Sequence, residues 1–435
     1  MPAESSETSL TTPQREEEGT VNGSEKTQIS IPPEEGLAGW LSIIGCSCGL
    51  FSTFGFLNAV GVFQTFYQAN ILSEYTPSTI SWIFALQLCL MWLPGPLFGR
   101  IIDTYGPRPV IIPCSVLCVF SLCMTSLSTK YYQIILAQGL GFGIGACGIF
   151  TASFVCAGQW FIRRRGLALG IVTGGSSLGG VIFPIFVNKV TLDIGFYGAV
   201  RYTALLIGIL LAISCCFITA RLPPKPWNSK GKWIDVTLFK DRSFALYTVG
   251  SFLVMWGLWA PFDYLPSMAQ ATSSFSVSMS IYLISIINAG SIPGRVIMAA
   301  LADKYGYFNM MSIISLSSAI AIFALWIPFD YTPSHAALMV FAAVYGYTSG
   351  GFISLLMPCA AKSGSLETLG TRFGTFQLVM AFSCLTGLPI EGAILAEEGA
   401  FLGLQLFAAC CILTGTVLVA GARVSLGGWS LKKLI

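Results

Sequence analysis

The side chains of this chain that could do chemistry are few, and the most conspicuous sit where charge is least welcome. The stretch FGRIIDTYGPRPV, Phe98 to Val110, sets Arg100, Asp103 and Arg108 between two uncharged apolar runs, ISWIFALQLCLMWLPGPL and IIPCSVLCVFSLCM. Gly99 and Gly106 permit a tight turn and a close helix approach. An aspartate at a helix end can accept backbone N–H bonds and oppose the positive end of a helix dipole. Arg100 and Arg108 can neutralise it and bridge to neighbouring helices. Gly99, Arg100, Asp103, Gly106 and Arg108 thus read as a conformational latch; the plainer alternative is a loop whose charges only set topology. A copy, ALADKYG, lies 200 residues on and matches Asp303 to Asp103 and Gly306 to Gly106. The repeat favours the latch. Ala299 replaces its first glycine and Phe308 its last basic residue, so Asp303 is expected to matter less than Asp103.

Other patterns with chemical meaning lack their context. Gly175-x-Ser177-x-Gly179 has the spacing of a serine-hydrolase elbow, but that motif needs a strand, a turn and a histidine within reach. The single histidine, His335, belongs to a distant run. Gly143-x-Gly145-x-x-Gly148 has dinucleotide-binding spacing, yet no strand precedes it. The 14 cysteines lie almost all inside apolar runs, where they act as small hydrophobes. Neither an enzyme, a metal site nor a cofactor is expected. The net charge of +3 averages an acidic tail with basic loops, and no nucleic-acid partner is expected from it.

These residues must be positioned by membrane helices. The chain is 54% hydrophobic and 10% charged, against about 25% charged in soluble domains. Its apolar runs repeatedly reach about twenty residues, the length that spans a bilayer core. The runs predict twelve spans near 37–63, 78–99, 109–128, 131–158, 166–188, 200–220, 243–263, 277–301, 308–328, 335–358, 371–390 and 399–421. The expected fold is therefore all-α, with two six-helix half-bundles at 36–220 and 243–423. A basic, proline-broken linker, 221–242, joins them on the cytoplasmic side. Residues 1–35, rich in Ser, Thr, Glu and Pro, read as a disordered cytoplasmic tail, and 424–435 as a second tail. With both termini inside, 20 of the 23 Lys and Arg fall on the cytoplasmic side and only Lys130, Lys189 and Arg201 outside. That segregation follows the positive-inside rule and places the chain in the cell membrane with both termini cytoplasmic.

The repeated Gly-Asp-Gly-Arg/Lys loop and the six-plus-six layout resemble the major facilitator superfamily from about residue 36 to 423. EGLAGW, 35–40, and QWFIRRRGLALGIVTGGSSLGG, 159–180, resemble its monocarboxylate porter family, and GSSLGGVIFP its fungal branch. Arg163 to Arg165 suit a cytoplasmic helix start near anionic lipid headgroups. Gly170, Gly174, Gly175, Gly179 and Gly180 give spacings that let helix backbones approach closely.

The resemblance implies a central cavity lined by spans 1, 4, 7 and 10 and flanked by spans 2, 5, 8 and 11. It directs attention to Asn58, Gln138, Trp256, Trp259, Asn288, Arg295, Tyr345 and Gln377 as substrate-binding candidates; for each, an ordinary interhelical contact is the alternative. Polar groups inside spans are costly and mark substrate routes, and this set suits a semi-polar organic molecule with rings. Animal monocarboxylate carriers place a lysine in span 1 and an Asp-x-x-x-Arg pair in span 8. Here Asn58 and Ser291 occupy the lysine and aspartate positions while Arg295 remains. Coupling to protons by the usual groups is thereby in question, though protons stay a candidate partner. The implied function is a secondary transporter moving a small organic metabolite, an organic acid or a secondary metabolite, with efflux as one direction. Uptake of a monocarboxylate or vitamin-like nutrient, and a non-transporting membrane sensor, are the alternatives.

A tag inserted between Lys225 and Lys232 is expected to be reachable only after cells are permeabilised, and one beside His335 from outside intact cells. The reverse labelling would overturn the topology.

Overall fold

In lipid a backbone has no water to bond, so long apolar segments must satisfy themselves as helices. The computed structural model, which describes residues 36–223, 233–272, 277–331, 333–364 and 369–429, shows this for all twelve predicted spans. They run Leu37–Ile71, Thr79–Tyr105, Arg108–Thr125, Tyr131–Trp160, Arg165–Ile194, Phe196–Phe217, Arg242–Ala271, Tyr282–Tyr305, Tyr307–Asp330, His335–Lys362, Leu369–Glu397 and Phe401–Gly427. We number them 1 to 12 in that order. The tail at 1–35, the middle of the linker at 224–232 and residues 430–435 lie outside the described residues.

The predicted bounds were too short at particular ends. Span 1 was expected to stop near 63 and continues to Ile71; span 7 was expected to stop near 263 and continues to Ala271. The extra turns carry Gln64, Thr65 and Gln68, and Ser267 and Gln270, which line an internal cavity. Their polarity closes an apolar run in the sequence, but the cavity wall gives them a place in the helix.

Both of these spans are interrupted, and at matching positions. Span 1 loses its helix in a turn at Asn58 and Ala59, and span 7 in a bend at Trp259. Each break frees a carbonyl that a side chain then takes up. The Asn58 amide donates to Phe54 O at 3.0 Å, and the Tyr345 hydroxyl donates to Leu258 O at 2.8 Å. Interrupted helices of this kind are tolerated at membrane depth only where protein re-satisfies the backbone.

The glycines of span 5 sort into two rows on different faces. A β-carbon at Gly166 would strike Ala299 O and one at Gly170 would strike Arg295 O, both on span 8. One at Gly175 would strike Ser47 O and one at Gly179 Phe51 O, both on span 1. Span 5 therefore touches its own half with one face and the opposite half with another, each at backbone distance. Across the other seam, Gly95 and Gly99 of span 2 meet Gln377 and Gly370 of span 11 in the same way.

Tyr345→Phe is expected to leave Leu258 O unpaired inside the bundle, at a cost of about 1–3 kcal/mol. A lowered unfolding midpoint in detergent, against no change in the exposed control Tyr331→Phe, would show it.

Candidate functional site

Beyond the two breaks the helices part around a cavity of about 580 Å³, a size that accommodates a drug-sized molecule. Flat apolar faces come from Phe54 and Phe84 of the first half and from Trp259 and Phe262 of the second. Neutral hydrogen-bonding groups come from Asn58, Gln64, Thr65 and Gln68 of span 1 and from Ser267 and Gln270 of span 7. Asp263 is the acid among the lining residues and is exposed to the cavity space.

The predicted binding residues divide by position. Asn58 and Trp259 line the cavity. Asn288 stands behind Asn58 and donates to its side-chain oxygen at 3.2 Å, a bond between the halves. Arg295 lies deeper, below Phe54, Asn58 and Trp259, where it borders a small pocket with Ser349 and Ile353. Its guanidinium donates to Thr173 O at 2.8 Å and to the Ser176 hydroxyl, both on span 5. The face of Phe54 lies 5.8 Å from it. Pairing with Asp303, the anchoring alternative for this arginine, does not occur here. Ser291, at the family's aspartate position, instead bonds Ser177 at 2.6 Å across the halves, which gives the hydrolase-like serine a packing partner.

The remaining candidates are placed away from the cavity. Gln138 is buried against Tyr67, whose hydroxyl donates to it at 2.6 Å. Trp256 donates to Thr386 at 2.8 Å and packs on Phe252. Tyr345 staples the break in span 7. Gln377 accepts from Thr151 at 3.1 Å, another bond between the halves.

At the opposite end from the cavity the two halves close on each other through the repeated acids. Asp303, at the end of span 8, accepts from Gly166 N at 2.7 Å and Leu167 N at 2.9 Å at the start of span 5. Tyr307 adds its hydroxyl at 2.7 Å. Asp103, at the end of span 2, accepts from Thr371 N at 3.2 Å at the start of span 11 and packs against Gly370. Each carboxylate meets the unpaired N–H groups and positive dipole end of a helix in the other half. The glycine three residues after each acid, Gly106 or Gly306, turns the chain at φ 81° and 96°, a region that favours glycine.

Two details of the expected latch change. Arg108 is exposed and takes no part in the hydrogen bonding of Asp103 among the described residues, while Arg100 is buried with its guanidinium 4.3 Å from the Trp233 ring of the linker. The copy that departs from the pattern still takes two backbone N–H groups, at 2.7 and 2.9 Å. Ala299 fits against Gly166, and Phe308 packs edge-on against Tyr247, so neither substitution loosens the contact.

Sequence reasoning missed the outer polar wall of spans 1 and 7, and with it Asp263. It also missed Glu391 of span 11, which is fully buried. Asp263 is the single acid of span 7, whereas span 11 carries Glu397 as well as Glu391. For Asp263 the signal was available in that isolation, because an intramembrane acid is a functional candidate by default.

The chain matches the family model described as "Major Facilitator Superfamily" over residues 45–388. It is 40% identical over 420 residues to the MFS-type transporter hasB of Aspergillus fumigatus, covering 93% of each chain. It is 36% identical over 394 residues to the Fujikurins efflux protein of Gibberella fujikuroi, covering 90% of this chain and 84% of that one. Among solved structures it superposes on the human organic anion transporter MFSD10 (TETRAN) with a TM-score of 0.68 at 16% identity, covering 91% of this chain and 100% of that one. At that identity the likeness shows the fold.

Charge-assisted bonds of the Asp303 kind contribute about 1.5–3 kcal/mol each. Asp303→Asn is therefore expected to shift the population toward separation of spans 5 and 8 by roughly tenfold or more, and at least as far as Asp103→Asn. Spin-label distances between positions 163 and 305 would report it.

Proposed function

Because this chain belongs to the major facilitator superfamily and is a multi-pass membrane transporter, we propose that it exports a small organic metabolite by alternating access. The observation that carries the reading is the single arrangement of cavity and closure. About 580 Å³ of ring-faced, amide-lined space lies toward one end of the bundle, and at the other end the two halves are drawn together by Asp103 and Asp303. Breaking both contacts would open the closed end, and the halves would then close over the present mouth.

In this reading the Asp103 and Asp303 end is cytoplasmic and both termini are inside, a placement that the Lys and Arg distribution supports. The halves are 36–220 and 243–423, and the chain works in the cell membrane. Efflux is supported by relatives named for it, among them the Fujikurins efflux protein. A finer placement in the monocarboxylate porter branch rests on EGLAGW and on QWFIRRRGLALG. The neutral donors and acceptors of the wall suit carbonyl and hydroxyl groups, and Phe54, Trp259 and Phe262 suit flat apolar ones.

Arg295 favours a cargo that carries an acidic group. A buried guanidinium is expensive without an anion, and here it is held by the neutral Thr173 and Ser176 of span 5. Separation of spans 5 and 8 would remove those partners, and a cargo carboxylate would replace them in bidentate geometry.

The test compares metabolites in medium and cell extracts of the native host with and without the gene. One or more compounds are expected to move from medium to cells on deletion; identical profiles would sink the export reading. For the compound so identified, Arg295→Lys is expected to raise the apparent KM and Arg295→Ala nearly to abolish export. Unchanged affinity with lower expression would make Arg295 a structural anchor and the cargo neutral.

A further inference from the structure

One buried acid is left unexplained by cavity, closure or packing. Glu391 of span 11 is fully buried, and neither carboxylate oxygen has a hydrogen-bond partner among the described residues. Leu388, one turn earlier on the same span, lines the cavity. The Tyr264 hydroxyl donates to Leu388 O at 3.1 Å, and a β-carbon at residue 392 would lie 2.9 Å from that hydroxyl. Spans 7 and 11 are therefore in close contact around this acid.

The titratable groups around Glu391 are Asp263, which acts on it, and Tyr264 of span 7, Tyr345 of span 10 and Cys411 of span 12, on which it acts. None is a cation. Of these Asp263 differs in its setting, because it is exposed to the cavity space. An ionised carboxylate in a dry interior needs a counter-charge or a set of donors, and the surroundings of Glu391 supply neither. A carboxyl that carries a proton needs no counter-charge. Asp263 precedes Tyr264, whose hydroxyl meets span 11 on either side of Glu391; two neighbouring acids cannot both ionise freely, so a proton entering the pair is shared by it.

We propose that Glu391 and Asp263 form one proton-binding site, loaded from the cavity at Asp263 and holding its proton on Glu391 while the halves exchange positions. The proton comes from cavity water on the outer side and adds to a carboxylate oxygen of Asp263. It passes to Glu391, restoring the Asp263 carboxylate. It returns by the same route to water once the cavity opens on the inner side. No other bond changes. The loaded pair carries one negative charge fewer, so the helices can slide past the apolar interface at lower cost. The exchange of this proton for cargo rests on the export reading given above; the binding of the proton does not.

Infrared pH titration of the full-length chain in lipid vesicles reads a neutral carboxylic acid and requires no cargo. The wild type is expected to show an acid carbonyl band that titrates, and Glu391→Gln to lose it. Asp263→Asn is expected to move its midpoint by about one pH unit or more, because the two acids titrate as a pair. Glu391→Asp separates loss of the carboxyl from loss of fold, since it is expected to retain a titrating band at a displaced midpoint. A band that survives unchanged in Glu391→Gln, or that is missing from the wild type, overturns the site.

Coupling is read in the same vesicles with the compound found by the extract comparison. A one-unit pH difference is equivalent to about a tenfold concentration ratio for one proton exchanged. Glu391→Gln is expected to lose that gradient-driven accumulation while keeping exchange of labelled for unlabelled compound. Equal gradient-driven accumulation in Glu391→Gln overturns the coupling. A wild type that titrates but moves no compound overturns the export reading and still supports the proton site.

Discussion

The first N–H groups of a helix have no partner within it, and this molecule sets an acid from each half against such groups in the other. Asp303 reaches the start of span 5 and Asp103 the start of span 11. Everything that lets the halves approach is subordinate to those contacts. Gly166 and Gly370 must lack a side chain because the carboxylates lie where a β-carbon would be. Gly106 and Gly306 must turn the chain directly after each acid. Arg165 and Arg372, at those same helix starts, reach back to carbonyls at the ends of spans 4 and 10. The closed end is thus a polar joint, made from backbone groups that a static bundle would leave to water.

The interior shows the same economy of partners. Where spans 1 and 7 break, Asn58 and Tyr345 replace the missing helical bonds. Where the halves meet at depth, small polar groups pair across the seam: Asn58 with Asn288, Ser177 with Ser291, Thr151 with Gln377. Hydrogen bonds between membrane helices are modest, averaging about 0.6 kcal/mol in measured cases. A seam of such bonds holds the halves in register and can still part. Arg295 is the exception, since its charge is much harder to strand than a serine hydroxyl.

The spans and the repeated acid were legible, because each leaves a one-dimensional trace: an apolar run and a spacing of 200 residues. What each acid bonds to was not, since Thr371, which donates to Asp103, lies 268 positions away. The missing glycine and basic residue in the second copy suggested a weaker contact, yet Ala299 and Phe308 are accommodated by what packs on them. The family resemblance, with residue type, pointed to Gln138, Trp256, Tyr345 and Gln377 as substrate-binding candidates. Four polar side chains inside helices looked alike in sequence, and only packing separates a staple or a seam bond from a wall. The outer wall was hidden for the opposite reason. Gln64, Gln68 and Gln270 looked like loop residues because a hydropathy window treats a cavity as it treats water.

The breaks at Asn58 and Trp259 divide spans 1 and 7 into lengths with separate obligations. The segments before the breaks pack against the seams and the closing joint. The segments after them, Val60–Phe66 with Tyr67–Ile71 and Ala260–Thr272, carry most of the polar wall. Gln64, Thr65, Gln68, Ser267 and Gln270 of these outer segments line the cavity and make none of the bonds between Asp103 or Asp303 and the opposite half. Selectivity and motion can therefore drift on different clocks, and lineages that share the machine can diversify in chemical repertoire by rewriting about two dozen positions.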